Sequence, residues 1–103
     1  MNGIKNDIGK LRYDLEQVLA AEEVVSVLTF GANKYADDNW RKLDDAHKRY
    51  YAASRRHMAA YIKGEAFDPE SGYHHIAHAI CCLNFMLEVE LETINKTKES
   101  NET

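Results

Sequence analysis

Four of the five histidines, His57, His74, His75 and His78, fall within residues 56–84, RHMAAYIKGEAFDPESGYHHIAHAICCLN, together with Glu65, Asp68 and Glu70. Apolar residues recur at helical spacing on both sides of this cluster, where helices ordinarily bury aliphatics. A buried imidazole or carboxylate without a partner costs roughly 1–3 kcal/mol, so several on one seam share a ligand, a metal or a hydrogen-bond network. His75 and His78, three positions apart, stack on one helical face and can reach one divalent ion, and His74 with His78 is an alternative pair. His57 precedes His75 by 18 residues, and an antiparallel helical hairpin brings the two together. The plainer alternative is that the histidines are core residues bonded to carbonyls or carboxylates, while the acids cap the following helix.

Three further groups have chemical potential. Glu22 and Glu23 lie among apolar turns, where one can face the interior and offer an oxygen to a hard cation such as Mg²⁺. Gly9, Lys10 and Arg12 place two cations beside a flexible residue, suited to phosphate oxygens. Tyr35, Asn39 and Trp40 could stack on a base and read its edge, although packing against the hairpin is the commoner explanation of Trp40.

The elements that must position these groups are helices, because β-branched alternation is nearly absent and Pro69 is the only proline. Helix one is expected over 15–35, with Asp14 as N-cap, a buried stripe of Leu15, Val18, Leu19, Val25, Leu28 and Ala32, and Gly31 as a close-packing point. Helix two is expected over 46–63, capped by Asp44 or Asp45 and ended by Gly64, with Tyr50, Ala53, His57, Ala60 and Tyr61 on its inner face. Helix three is expected over 73–94 and is apolar on nearly every face, as a central or interfacial helix must be.

The expected fold is therefore all-α: a three-helix antiparallel domain over 1–95 that completes a bundle by self-association, followed by a disordered polar tail over 96–103. A net charge of −4 with scattered Lys and Arg argues against a long nucleic acid as partner. No segment has the length and hydropathy of a membrane span or signal peptide, and Cys81 and Cys82 read as adjacent buried thiols, so a cytoplasmic homo-oligomer is expected.

Read in order, GKLRYDL at 9–15, VLTFGANKY at 27–35, NW at 39–40, RH at 56–57, then GE, DPESG and HIAHA resemble the phage dATP/dGTP diphosphohydrolase N-terminal family over about residues 9–90. That resemblance implies hydrolysis of purine deoxynucleoside triphosphates to monophosphates in the host cytoplasm. It also implies a layout similar to the MazG-type all-α nucleotide pyrophosphohydrolases, which are Mg²⁺-dependent oligomers. Such enzymes carry E-E-x-x-E on one helix and E-x-x-D on the next. By helix order, this chain has Arg56 and His57 at the first place and His75 and His78 at the second.

The expected reaction is a metal-assisted attack of water on a purine dNTP, releasing pyrophosphate. Lys10, Arg12 and Arg56 would bind phosphates, and His75 and His78 with Asp68 or Glu70 would hold Mg²⁺ or Mn²⁺. Glu23 or His57 would orient the water as general base. The alternative is a non-catalytic binder in which imidazoles and arginines hold the phosphates directly and sequester a host nucleotide signal.

Overall fold

The computed structural model describes the backbone of residues 3–102 and the side chains of 3–99; Met1, Asn2 and Thr103, at the ends of the expected domain and tail, lie outside the described residues. Three α-helices carry the fold: α1 (Val18–Lys34), α2 (Ala46–Ile62) and α3 (His75–Glu102). Short 3-10 turns at Tyr13–Leu15 and Asn39–Lys42 precede α1 and α2. Both α1 and α2 pack on α3, so α3 is the shared wall of an all-α domain. Among the described residues, no helix is long and apolar enough to cross a membrane.

The core is small and lies where the helices meet. Val24 and Val27 from α1 and Ala77 and Cys81 from α3 are buried together, with Tyr73, Ile80 and Phe85 packed against them. Burial of each valine is worth about 1.5–3 kcal/mol. Their spacings of three and four residues put each pair on one helical face. Burial of the two free cysteines pushes their thiols up, Cys81 to about 12 and Cys82 to about 11, so both stay protonated and behave as small apolar groups.

The expected stripe on α1 needs correction. Leu15 lies in the preceding 3-10 turn, and Val18, Leu19, Val25 and Leu28 are exposed, Leu19 at 85%. Apolar residues occupy two faces of α1, and one chain supplies a packing partner for only one of them. Asp14 does not cap the helix because Arg12 holds its carboxylate through two hydrogen bonds of 2.8 and 2.7 Å; Gln17 occupies the N-cap position. Gly31 is not a close-packing point either, since a Cβ added there would meet nothing within 4 Å.

Helix α2 starts where expected, but Asp45 at its N-cap has a left-handed backbone (φ 54) and makes no side-chain capping bond. Its end follows the glycine rule. Gly64, at φ +110, donates to the Tyr61 carbonyl, and the Glu65 N–H reaches back to Ala60, both at 3.0 Å. This is the paired 5→2 and 6→1 pattern of a Schellman turn.

Helix α3 begins two residues later than expected because Tyr73 and His74 belong to the connection. The Asp68 N–H donates to the Tyr73 carbonyl (2.8 Å), the His75 N–H donates to the Ala66 carbonyl (2.9 Å), and Phe67 bridges His74. His74 caps α3 by accepting the Ile76 N–H on Nδ1 at 3.0 Å. At the other end, helical backbone continues to Glu102, through a stretch expected to be frayed, with residues 93–99 exposed.

Gly31→Ala is expected to stabilise the domain by about 0.5–1 kcal/mol, because the methyl removes backbone freedom from the unfolded chain without a clash. Thermal unfolding checks this, and a lowered midpoint would contradict it.

Candidate active site

The connection between α2 and α3 folds back over the helix ends and brings four elements to one cleft of about 880 Å³. The end of α1 contributes Gly31, Lys34 and Tyr35, and the following loop contributes Asn39 and Trp40. Helix α2 contributes Arg49, Tyr50, Arg56 and His57; the connection adds Asp68 and Glu70, and α3 adds His78 and Phe85.

At the polar end of this cleft the expected convergence of His57 and His75 is present. His57 Nδ1 lies 2.9 Å from His75 Nδ1 and 3.9 Å from Asp68 Oδ2. His75 is 4% exposed, and its Nε2–H donates to Glu65 Oε1 at 2.7 Å. In a neutral imidazole that bond leaves the lone pair on Nδ1, facing His57. Asp68 Oδ1 accepts the backbone N–H groups of Glu70 (2.8 Å) and Ser71 (3.0 Å), so Oδ2 alone is turned toward His57.

His78 stands beside this group. Ser71 Oγ accepts the Tyr73 N–H at 3.1 Å and donates to His78 Nε2 at 2.7 Å. The His78 ring stacks on His57 with centroids 4.5 Å apart and planes 11° from parallel, which fixes how His57 faces the cleft. Burial, with His78 and His75 as neighbours, holds the His57 imidazole below its ordinary range. Burial does the same to His78, against the opposing pull of Asp68. Burial works against ionisation of Asp68, yet the Ser71 and Glu70 N–H groups and the nearby imidazoles bring its carboxyl below the usual range.

The remaining expected residues are distributed unevenly. Glu70 is ion-paired with Lys34. Glu23 is held outside the cleft wall, its Oε2 accepting the His74 N–H at 3.0 Å and tying α1 to the start of α3. Lys10 and Arg12 do not line the cleft; they lie on the exposed segment before α1, and Arg12 is bound to Asp14. Arg56 does line it, and so does Arg49, seven residues earlier on the same helical face. Neither arginine has an ion pair among the described residues.

Trp40 is stacked on Phe85 at 4.6 Å and lies under the Arg41 guanidinium at 4.3 Å, while Arg41 itself bonds both oxygens of Glu92 at 3.0 and 2.9 Å. This clamp fastens the loop to α3 and engages the indole within the protein. Tyr35, 63% exposed at the cleft, has the more open ring. Arg49, Lys34 and Ser71 stand outside the residues expected from sequence. Arg49 was legible from its seven-residue spacing to Arg56, whereas the contacts of Lys34 and Ser71 depend on how the connection folds.

The arrangement combines two arginines without ion pairs among the described residues, an exposed aromatic ring and a cluster of ligating side chains. Among known proteins, the dATP/dGTP diphosphohydrolase N-terminal family matches residues 1–99. The chain belongs to this family. It is 40% identical over 86 residues to a dATP/dGTP diphosphohydrolase of Salmonella phage PMBT28, a match that covers 84% of this chain and 29% of that protein. The chain thus spans less than a third of that relative's length. No solved structure matches. The family's matched region contains every residue that lines the cleft, from Val27 on α1 to Phe85 on α3.

Because Asp68 organises the connection through two backbone N–H groups, Asp68→Ala should lower stability by about 1–3 kcal/mol. Asp68→Asn, which retains the accepting oxygen, should cost much less. Urea unfolding of the two variants measures the difference, and equal losses would contradict this role.

Proposed function

We propose that the cleft binds a purine deoxynucleoside triphosphate and hydrolyses it, with a divalent metal ion, to the monophosphate and pyrophosphate. The observation that carries this reading is the joining, in one cleft of about 880 Å³, of Arg49 and Arg56 with the His57–Asp68 end. That volume lies within the ~300–1,000 Å³ of small-molecule sites. Family membership and the name of the phage relative support the substrate class.

In the proposed reaction, water adds to the α-phosphorus, the bond from that phosphorus to the bridging oxygen breaks, and pyrophosphate leaves. Arg49 and Arg56 bind the phosphate oxygens as planar forks and counter the charge that develops on the leaving group. Lys34, poised on Glu70, is a third cation at the same wall. Tyr35 offers its ring to the base. Glu23 lies outside the cleft wall and His57 belongs to the group that would hold a metal, so the water's proton passes to a phosphate oxygen of the substrate. A divalent ion bound at the His57, Asp68 and His75 end would neutralise phosphate charge and acidify the water. The chemistry of that donor set fits a cation.

A second reading, binding without turnover, is favoured by one observation: Asp68 is the sole carboxylate in the group of His57, Asp68 and His75, while Glu70 is neutralised by Lys34. Incubation of the protein with dATP or dGTP and Mn²⁺ or Mg²⁺ should release pyrophosphate, and Arg56→Ala should slow release at least about tenfold, the loss of one charge-assisted contact. If every nucleotide raises the melting temperature but none is cleaved with any ion, the binder reading replaces the enzyme.

The same reading includes self-association. Leu83, Leu87, Leu91 and Ile94 form an exposed aliphatic stripe along α3, and Val18, Leu19 and Val25 are exposed on α1. A second copy of the chain would cover them. Sedimentation should give a mass above that of one chain, and Leu87→Glu should lower it; a monomeric wild type at high concentration would refute the assembly.

A further inference from the structure

The seam between α2 and α3 contains more order than a hydrogen-bond network requires. His57, Asp68 and His75 each offer one ligand atom, a ring nitrogen or a carboxylate oxygen, and the three atoms lie within 4.8 Å of one another. Three ligands each about 2.0–2.2 Å from one ion sit roughly 3–3.6 Å apart. The 2.9 Å between the two Nδ1 atoms and the 3.9 Å from His57 Nδ1 to Asp68 Oδ2 bracket that spacing, and the third separation is within 4.8 Å, so side-chain adjustments on the order of 1 Å would close the group on one ion.

Each of the three side chains is also aimed from behind. Glu65 Oε1 holds His75 Nε2 at 2.7 Å, the carboxylate–histidine arrangement that fixes a ligating imidazole's tautomer and orientation. The backbone N–H groups of Glu70 and Ser71 occupy Asp68 Oδ1 and leave Oδ2 to point inward. The stacked His78 ring, itself fixed by Ser71, sets the plane of His57. A core histidine pair needs one hydrogen bond between its rings. Separate positioning of all three donors is what a metal centre needs.

The donor types also discriminate among ions. Two imidazole nitrogens and one carboxylate oxygen suit borderline transition metals, whereas Mg²⁺ takes oxygen ligands in a near-ideal octahedron and resists nitrogen. Glu70, which lines the cleft from the connection, is occupied by Lys34. We propose that His57, Asp68 and His75 bind one transition-metal ion of the Mn²⁺, Co²⁺ and Zn²⁺ class in preference to Mg²⁺. The proposal names the ion for the divalent-metal reading given above and rests on that reading for its function, though not for its binding. Ligation through Nδ1 leaves His57 Nε2 protonated, so His57 is a ligand and not the acceptor of the water's proton.

The test measures metal on the full chain without nucleotide. After chelation and dialysis, the protein is titrated with Co²⁺, Zn²⁺, Mn²⁺ and Mg²⁺ by calorimetry, and the visible absorption of the Co²⁺ form is recorded. The expected result is one ion per chain for the transition metals, Co²⁺ bands of mixed nitrogen and oxygen coordination, and no displacement by excess Mg²⁺. His57→Ala and Asp68→Asn should each weaken binding more than tenfold, and Glu65→Gln, which touches no ion, by about 10–100-fold. Circular dichroism checks that these variants remain folded. Absence of transition-metal binding by the folded wild type, or unchanged affinity in folded Asp68→Asn and His57→Ala, overturns the site. Pyrophosphate release with Mg²⁺ alone in that case leaves the hydrolase reading intact. Conversely, tight ion binding without cleavage supports the site and refutes the hydrolase.

Discussion

The structure depends on the partnering of polar groups buried between α2 and α3. A helical hairpin that places His57 and His75 against one another must satisfy their ring nitrogens within the protein. The connection that links the two helices does so. Glu65 takes the outer nitrogen of His75, Asp68 faces His57, and Ser71 takes His78. The connection can hold these positions because its own backbone is closed by bonds from Asp68 to Tyr73 and from His75 to Ala66. Remove the partners, and the buried imidazole of His75 with the half-buried rings of His57 and His78 would cost the hairpin a substantial part of the stability its small core provides.

The polar seam also explains how the rest of the core is composed. Ala77, Ala79, Cys81 and Cys82 are the buried residues that follow His75 on α3, all small enough to sit close beneath neighbouring helices. Larger side chains appear further along, where Phe85 receives Trp40 and Tyr50 and the Arg41–Glu92 pair fastens the loop. The cleft lies between these two zones, with cations of α2 on its wall. Its polar end is thereby rigid, while its aromatic end is formed by a loop pinned through one ion pair and one stacked ring.

The helical architecture was legible because three- and four-residue periodicity reports helices directly, and the 18-residue offset between His57 and His75 is what a short hairpin needs. The stop of α2 was legible in Gly64. The buried stripe of α1 was not: its apolar residues cover two faces, and periodicity cannot say which one a neighbouring helix covers. Nor does spacing reveal that His78 supports His57 through stacking, or that Glu70 is claimed by Lys34. Those facts follow from the path of the connection, where turn bonds to Asp68 decide which oxygen faces inward. The family resemblance located the motifs but not their partners; GKLRYDL lies away from the cleft in one chain, while Arg49, outside any quoted motif, lines it.

The account stands on the cleft being the place where a purine deoxynucleotide binds. The most direct measurement is the change in backbone amide resonances on adding a non-hydrolysable dGTP analogue in the presence of Zn²⁺. The account predicts the largest shifts at Lys34, Tyr35, Arg49, Arg56, His57 and the connection around Asp68. Shifts confined to the outer stripe of α3 from Leu83 to Ile94, with Arg49, Arg56 and His57 unmoved, would contradict it.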